Sequence, residues 1–242
     1  MERLGIIGAM ASEVTHLTEQ MEEKTVTRAA GLRFYDGTLM GCPVVVAECG
    51  VGKVCAAVCA QVMIDRFRVT GLVNTGVAGG LHPELKVGDI VIGTDAVQHD
   101  FDLTATGAVK GYLFGEDESV PTRFHSDPAL VAAFKRAADK ILTGGKTYRE
   151  GTIASGDIFV ADPALKRDLV ERYGAAAAEM EGAAIAQVAA ANAVPAVIIR
   201  AISDLAGEKA EISFAEFEQE AAALSAQIVM EMLAQLGKKR EE

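Results

Sequence analysis

Apolar residues recur along this chain in two periods. Short runs bounded by Gly, Pro or polar clusters, such as Leu4–Ile7, Val44–Glu48 and Val197–Ile202, are rich in β-branched types. Runs apolar on both faces predict strands buried within a sheet. Longer stretches with apolar positions three and four apart predict amphipathic helices. On this basis strands are predicted over 4–7, 25–29, 33–39, 44–48, 72–75, 89–97, 148–154, 176–179 and 197–202. Helices are predicted over 12–21, 53–66, 128–142, 163–173, 181–192 and 214–236.

Local chemistry sharpens several boundaries. Asp127-Pro128 and Asp162-Pro163 each set an N-cap acid before a proline at the first helical position. Ser213 followed by Glu216 reads as a capping box ahead of the last helix. The early strands, joined by Ala30-Gly31 and Gly41-Cys42-Pro43, predict an antiparallel meander beside a sheet that later alternates with helices. The expected fold is α/β: a single three-layer α/β/α domain over residues 1–242 with a mixed central β-sheet. The least patterned stretch, Thr104–His125, is long for a loop inside a compact domain, which points to a functional segment or an interface.

Composition narrows the class. With 242 residues, half of them hydrophobic, the chain can bury one large core. A net charge of -11 without a basic stripe argues against nucleic acid, and Lys238-Lys239-Arg240 reads as a solvated helix end. Cys42, Cys49, Cys55 and Cys59 form no Cys-x-x-Cys pair, and the four histidines are scattered, so neither a zinc site nor a disulfide framework is indicated. Cys55 and Cys59 fall one turn apart on an expected core face. No signal-peptide pattern and no membrane-length apolar run is present, so a cytoplasmic location off the membrane is expected.

Candidate chemistry clusters at strand ends. Ala196-Val-Ile-Ile breaks into Arg200-Ala-Ile-Ser-Asp204, which is expected to bring a guanidinium and a carboxyl to where a buried strand surfaces. Glu179-Met180-Glu181 and Glu13 follow other strands, and three such acids suggest one shared site. Glu181 could equally cap the helix it precedes, and Arg200 could pair with a structural carboxylate. Phe159 and Phe214 fit either the core or a stack on a heterocycle. Gly50-Val-Gly52-Lys53 fails the P-loop pattern at Ala47 and Val54, and fails the dinucleotide fingerprint at Cys55. That turn and Thr75–Gly80 instead suggest tight turns or a close approach of backbone to ligand.

Nine segments then occur in a familiar order. They are Gly5-Ile-Ile-Gly-Ala-Met10, Glu13-Val14, Gly50-Val-Gly-Lys53, Asn74-Thr-Gly-Val-Ala-Gly-Gly80, Lys86-Val-Gly-Asp-Ile-Val91, Ser155-Gly-Asp157, Glu179-Met-Glu181, Arg200-Ala-Ile-Ser-Asp204 and Ser213-Phe214. Together they resemble the bacterial 5'-methylthioadenosine/S-adenosylhomocysteine nucleosidases of the nucleoside phosphorylase superfamily, over nearly the whole chain.

The resemblance implies hydrolysis of the N-glycosidic bond, releasing adenine, with no metal or organic cofactor. It implies Asp204 as the acid that protonates adenine N7, aided by Ser203, and Glu13 as the group that polarises water, assisted by Arg200. Phe159 would stack on the purine, and the backbone around residues 158–160, Val160 included, would help hold the acid and the base. Glu181 and Met180 would hold the ribose hydroxyls, with Glu179 in support. Met10, Val51, Leu103 and Phe214 would line the alkylthio pocket. Many relatives carry serine where this chain has Val77, whose side chain cannot position water. The expected partners are small adenine nucleosides and a second copy of the chain, the homodimer forming through apolar helix faces and the 104–125 region. Alternatives are a preference for aminodeoxyfutalosine, a purine nucleoside phosphorylase, or a silent nucleoside-binding protein.

Overall fold

A computed structural model describes residues 2–115, 117–207 and 209–241. Side chains beyond Gly237 lie outside the described set, and with them the Lys238-Lys239-Arg240 run. The elements in order are β1 (Leu4–Gly8), α1 (Ala11–Glu19), β2 (Glu22–Ala29), β3 (Leu32–Leu39), β4 (Cys42–Glu48), α2 (Lys53–Phe67) and β5 (Gly71–Gly80). There follow β6 (Ile90–Gln98), a 3-10 turn at Thr104–Thr106, β7 (Phe124–His125), α3 (Pro128–Ile141), β8 (Tyr148–Ser155) and α4 (Pro163–Tyr173). The chain finishes with β9 (Ala175–Glu179), α5 (Gly182–Ala191), β10 (Ala196–Asp204) and α6 (Ala210–Glu241).

Among the described residues, all ten strands join one mixed sheet. β2, β3 and β4 form the expected antiparallel meander, and β4 pairs in parallel with β1. β5 is the branching strand. Its first half pairs in parallel with β1, its last two residues pair antiparallel with β9, and its other edge carries β10 throughout. β10 continues to β6, β6 to β8 and β8 to β9, so five strands close on themselves while β1 to β4 extend outward. The expected turn at Thr75–Gly80 is therefore strand. Its glycines keep the backbone free of side chains where β10 and β9 both press against it.

Strand residues alternate between two cores, as period-two burial requires. Ile6, Val44, Val46 and Val73 face Leu17 of α1, Phe134 of α3 and Val229 and Met232 of α6. Their neighbours Ile7, Val45, Ala47 and Leu72 face Cys59, Met63 and Phe67 of α2 and Ile185 of α5. A side chain of this size, fully buried, contributes about 1.5–3 kcal/mol. The two layers of helices thus sit on opposite faces, as expected, and α4 packs over β8 and β9 through Leu169 and Tyr173.

Asp127 and Asp162 cap α3 and α4, accepting from the N–H groups of Leu130 and Ala164 at 2.9 and 2.8 Å. Ser213 does not cap α6. The helix already begins at Ala210, whose N–H donates to the Gly207 carbonyl, and Ala210 is buried. Glu211 lies in the first turn, where the helix dipole favours an acid. The 104–125 stretch, expected without structure, holds the 3-10 turn and β7, which pairs with β6. All four cysteines are free thiols, but Cys55 is exposed because the buried face of α2 runs through Ala56, Cys59, Ala60 and Met63. Among the described residues no cluster could hold a metal ion, and no helix is long and apolar enough to cross a membrane.

Candidate active site

Glu13 occupies the third position of α1, just past the end of β1. Its carboxylate turns back to accept the N–H groups of Ala9 at 2.6 Å and Met10 at 3.1 Å through Oε2. Oε1 accepts the N–H of Val77 from β5 at 3.0 Å, and Arg200 Nη1 lies 3.8 Å away. Burial raises the Glu13 pKa above the usual carboxylate range, against the opposing pull of Arg200 and the three N–H donors. Gly76 makes the arrangement possible, because a Cβ there would fall on Glu13 Oε1 and Arg200 Nη1.

Arg200 does not surface. It projects from the middle of β10, is 1% exposed, and is the cation for three glutamates. Its Nη2 bonds Glu179 closely, reaches Glu181 Oε2 at 3.4 Å and donates to Asn74 Oδ1 at 2.5 Å. Asn74 donates in turn to the Ile7 carbonyl at 3.0 Å. Burial works to lower the Arg200 pKa, and Glu179, Glu181 and Glu13 outweigh it.

Glu179 and Glu181 divide two tasks. Glu179, the last residue of β9, accepts the N–H groups of Glu181 and Gly182 at 3.1 and 2.8 Å, and Ser155 Oγ bonds it and accepts Ala183 N–H at 2.7 Å. Glu179 and Ser155 therefore cap α5. Glu181 stands at the N-cap position without capping, since its Oε1 accepts the N–H of Gly52 at 2.8 Å across the β4–α2 turn. Gly52 has a φ of 101°, which suits glycine and aims that N–H at the acid. Burial first, then Glu179, push the Glu181 pKa up to about 7.

Asp204 ends β10 and is 2% exposed. Oδ1 accepts Ala206 N–H at 2.8 Å, and the Ser203 hydroxyl lies 3.0 Å from Oδ2 and 3.4 Å from the Ala78 carbonyl. Burial raises its pKa, against the Ala206 N–H, Ser203 and the nearby Lys166 ammonium.

One cavity of about 310 Å³ joins these groups. Glu13, Glu179, Glu181 and Asp204 line it together with Met10, Val51, Phe159, Val160, Met180 and Phe214. Phe159 and Phe214 meet edge to face, with ring centroids 5.7 Å apart, and Phe159 remains 42% exposed at the rim, outside the core. Arg200 and Ser203 stand behind the lining and hold the acids. Leu103 is not among the lining residues; it stands at the N-cap of the 3-10 turn at Thr104–Thr106. Val77, Ala78 and Gly79 of the Thr75–Gly80 stretch, and Ile158 of the 158–160 backbone, also line the cavity, while Ala9 and Ala178 are walls that sequence reasoning missed. Ala178 carried no chemical signal. Asn74, a polar residue inside an apolar strand, carried one.

Comparison with known proteins identifies the family. A family model described as the phosphorylase superfamily matches residues 3–234. The 5'-methylthioadenosine/S-adenosylhomocysteine nucleosidase of Anoxybacillus flavithermus is 42% identical over 239 residues, 97% of this chain and 99% of the relative. The crystal structure of the Neisseria meningitidis nucleosidase of the same name, in complex with methylthio-immucillin-A, superposes with a TM-score of 0.89. It is 42% identical and covers 97% of this chain and 100% of that one. A futalosine hydrolase of Helicobacter pylori has the same TM-score, 0.89, at 33% identity over 97% of this chain and 98% of that one. Family model, full-length identity and shared fold agree: the chain belongs to the phosphorylase superfamily and, within it, to the 5'-methylthioadenosine/S-adenosylhomocysteine nucleosidases.

Proposed function

We propose that this protein hydrolyses the N-glycosidic bond of 5'-methylthioadenosine and S-adenosylhomocysteine, releasing adenine and methylthioribose or S-ribosylhomocysteine. The observation that carries the reading is a single cavity lined by both Asp204 and Glu13, each buried and each with a raised pKa, in a chain of this family. Adenine leaves poorly as an anion. A protonated Asp204 gives its proton to N7 as the bond from C1' to N9 breaks, and burial favours that protonated form. The ribose passes through an oxocarbenium-like state, which the negative charge of Glu181 stabilises. Water attacks C1' from the other face, and Glu13 takes its proton. Two carboxyl groups flanking the bond with room for water is the logic of inverting sugar hydrolysis.

The remaining roles follow from position. Phe159 stacks on the purine, with Val160 beside it. Met180 packs on the ribose, and Glu181, anchored by Gly52, accepts from the ribose hydroxyls. Met10, Val51 and Phe214 supply the apolar wall for the alkylthio tail. Arg200 and Glu179 hold the acids, and Ser203 holds Asp204. The Val77 side chain has no hydroxyl, and its backbone N–H holds Glu13 instead. The chemistry needs no cofactor.

Phosphorolysis fits poorly, because a phosphate beside Glu13 and Glu181 would meet two carboxylates and a guanidinium already engaged by three. Hydrolysis of aminodeoxyfutalosine is the second reading, favoured by the close superposition of the Helicobacter pylori futalosine hydrolase. Chromatographic detection of free adenine from the three nucleosides, with and without phosphate, tests all of these. Adenine from methylthioadenosine and adenosylhomocysteine in phosphate-free buffer is expected; strict dependence on phosphate would overturn hydrolysis.

The same reading places the protein in the cytoplasm, in methionine salvage, as a homodimer. Support for the dimer comes from exposed apolar side chains on and before α2, Val51, Val54 and Val58, with Phe114 and Val120 from the 104–125 segment. Sedimentation analysis of the protein tests the dimer directly.

A further inference from the structure

The turn after Asp204 is held in an unusual conformation. Ala206, whose N–H bonds Asp204 Oδ1 at 2.8 Å, is fully buried and has a φ of 45°. A residue with a Cβ adopts that left-handed backbone only when its surroundings impose it. A Cβ on Gly79 would meet both Asp204 Oδ1 and Ala206, so β5 presses on the turn from one side. The hold from the other side comes from α4. Lys166 extends its half-buried side chain so that Nζ donates to the Leu205 carbonyl at 2.5 Å and to the Gly80 carbonyl at 3.3 Å. One carbonyl belongs to the residue after Asp204 and the other ends the neighbouring strand. The ammonium therefore staples the turn to β5 beside the acid.

Resting on the reading of Asp204 as proton donor, we propose that Lys166 is a positioning residue for that donor. Its ammonium holds the Leu205–Ala206 turn in the one conformation that presents the Asp204 carboxyl to the cavity. Among the described residues, the charged groups acting on Asp204 are Lys166 from α4 and Glu211 from α6. The polar ones are the Ser203 hydroxyl on β10 and the Ala206 N–H in the turn, while β5 places Gly79 against Asp204 and the Ala78 carbonyl against Ser203. Lys166 draws the acid toward ionisation and Glu211 opposes it. Asp204 in turn holds up a lysine pKa that burial lowers. Lys166 thus makes two separable contributions. Its hydrogen bonds keep the turn folded, and its charge limits how far the acid's pKa is raised.

Kinetics of adenine release as a function of pH test this in the full-length enzyme. Lys166→Met is expected to lower kcat about tenfold, the scale of a lost charge-assisted hydrogen bond, with little change in KM. The alkaline limb of its pH profile is expected to move upward by roughly half a pH unit, because the acid no longer faces a cation. Lys166→Arg should restore both. Lys166→Gln keeps donors for the two carbonyls and loses the charge, so it should shift the limb while recovering much of kcat. Adding Ala206→Gly to Lys166→Met should also recover kcat, since glycine takes a positive φ without strain.

A Lys166→Met enzyme with wild-type kcat and an unmoved limb would overturn the proposal. So would a loss of kcat with an unmoved limb, which marks a merely structural lysine. If Lys166→Met does not fold, the limb of Lys166→Gln decides in the same way. Asp204→Asn, assayed alongside, separates the two levels: a hydrolytically active Asp204→Asn removes the donor itself. An inactive Asp204→Asn with an unaltered Lys166 series removes only the role given to the lysine.

Discussion

The backbone N–H of Val77 donates to Glu13 Oε1 at 3.0 Å, so β5 and α1 hold one carboxylate between them. No side chain of residue 77 takes part. What the contact requires is close approach, and Gly76 provides it by leaving the space that Glu13 and Arg200 fill. Gly76→Ala is expected to push the two apart and to reduce kcat by about 100-fold, the cost typical of misplacing a reacting group by an ångström. Adenine release and thermal unfolding measured together would show loss of activity in a folded protein. A variant with near-normal turnover would mean that Glu13 does not need its present position.

Asp204→Asn retains shape but has no proton to give at neutral pH. Turnover of methylthioadenosine is expected to fall by about 10²–10⁴-fold. Burying an amide there instead of a carboxyl should leave the circular dichroism spectrum and unfolding midpoint near those of the wild type. Substantial residual turnover would remove Asp204 as the acid.

Arg200→Met leaves Glu13, Glu179 and Glu181 buried without their cation. Removing one partner of a buried ionic network costs about 3–5 kcal/mol. Urea unfolding at neutral pH should show that loss, and acidification should partly restore stability by protonating the acids. A stable Arg200→Met protein at neutral pH would show that the glutamates are already neutral there.

Stability should fall as pH rises through the acidic range. Glu181 is pushed from an ordinary 4.5 up to about 7 in the folded protein, chiefly by burial. Its contribution is full below 4.5, where both folded and unfolded forms hold the proton, and is lost as pH climbs to about 7. The change is on the order of 3 kcal/mol for this group. Glu13 and Asp204, also raised, act in the same direction. Glu181→Gln should flatten the pH dependence of the urea midpoint across that window; an unchanged slope would contradict the assignment.

Phe159 meets Phe214 edge to face at the cavity rim while remaining partly open to solvent. Phe159→Ala should therefore weaken nucleoside binding with little effect on the fold. An aromatic contact of about 0.5–1.5 kcal/mol corresponds to a rise in KM of up to roughly tenfold. Steady-state kinetics and an unchanged unfolding midpoint would bear this out, and an unaltered KM would place the purine elsewhere.

The legible part of the fold was the part written in local periods. β4 shows this best: Val44 and Val46 enter one core, Val45 and Ala47 the other, and the unbroken apolar run announced burial on both faces. Caps with a chemical marker, Asp127 and Asp162, were readable for the same reason. Ser213 misled because a good capping pair was overruled by a helix already begun at a buried Ala210. At Thr75–Gly80 the tight turn did not form, because glycines that usually mark a turn here let β10 and β9 both meet one backbone, and Val77, Ala78 and Gly79 instead line the cavity.

Sequence alone determined the order of strands and helices, the burial of the strands and the set of acids available for chemistry, since these depend on neighbours a few residues apart. It also carried the likeness that pointed to the family. Tertiary structure alone decided that Arg200 lies inside and serves three glutamates, and that Glu179 caps α5 while Glu181 turns to Gly52. The Asn74–Arg200 and Gly52–Glu181 contacts join segments more than a hundred residues apart, the first through the pairing of β5 with β10. A buried charge takes whichever partner that pairing delivers, and no local pattern encodes the delivery.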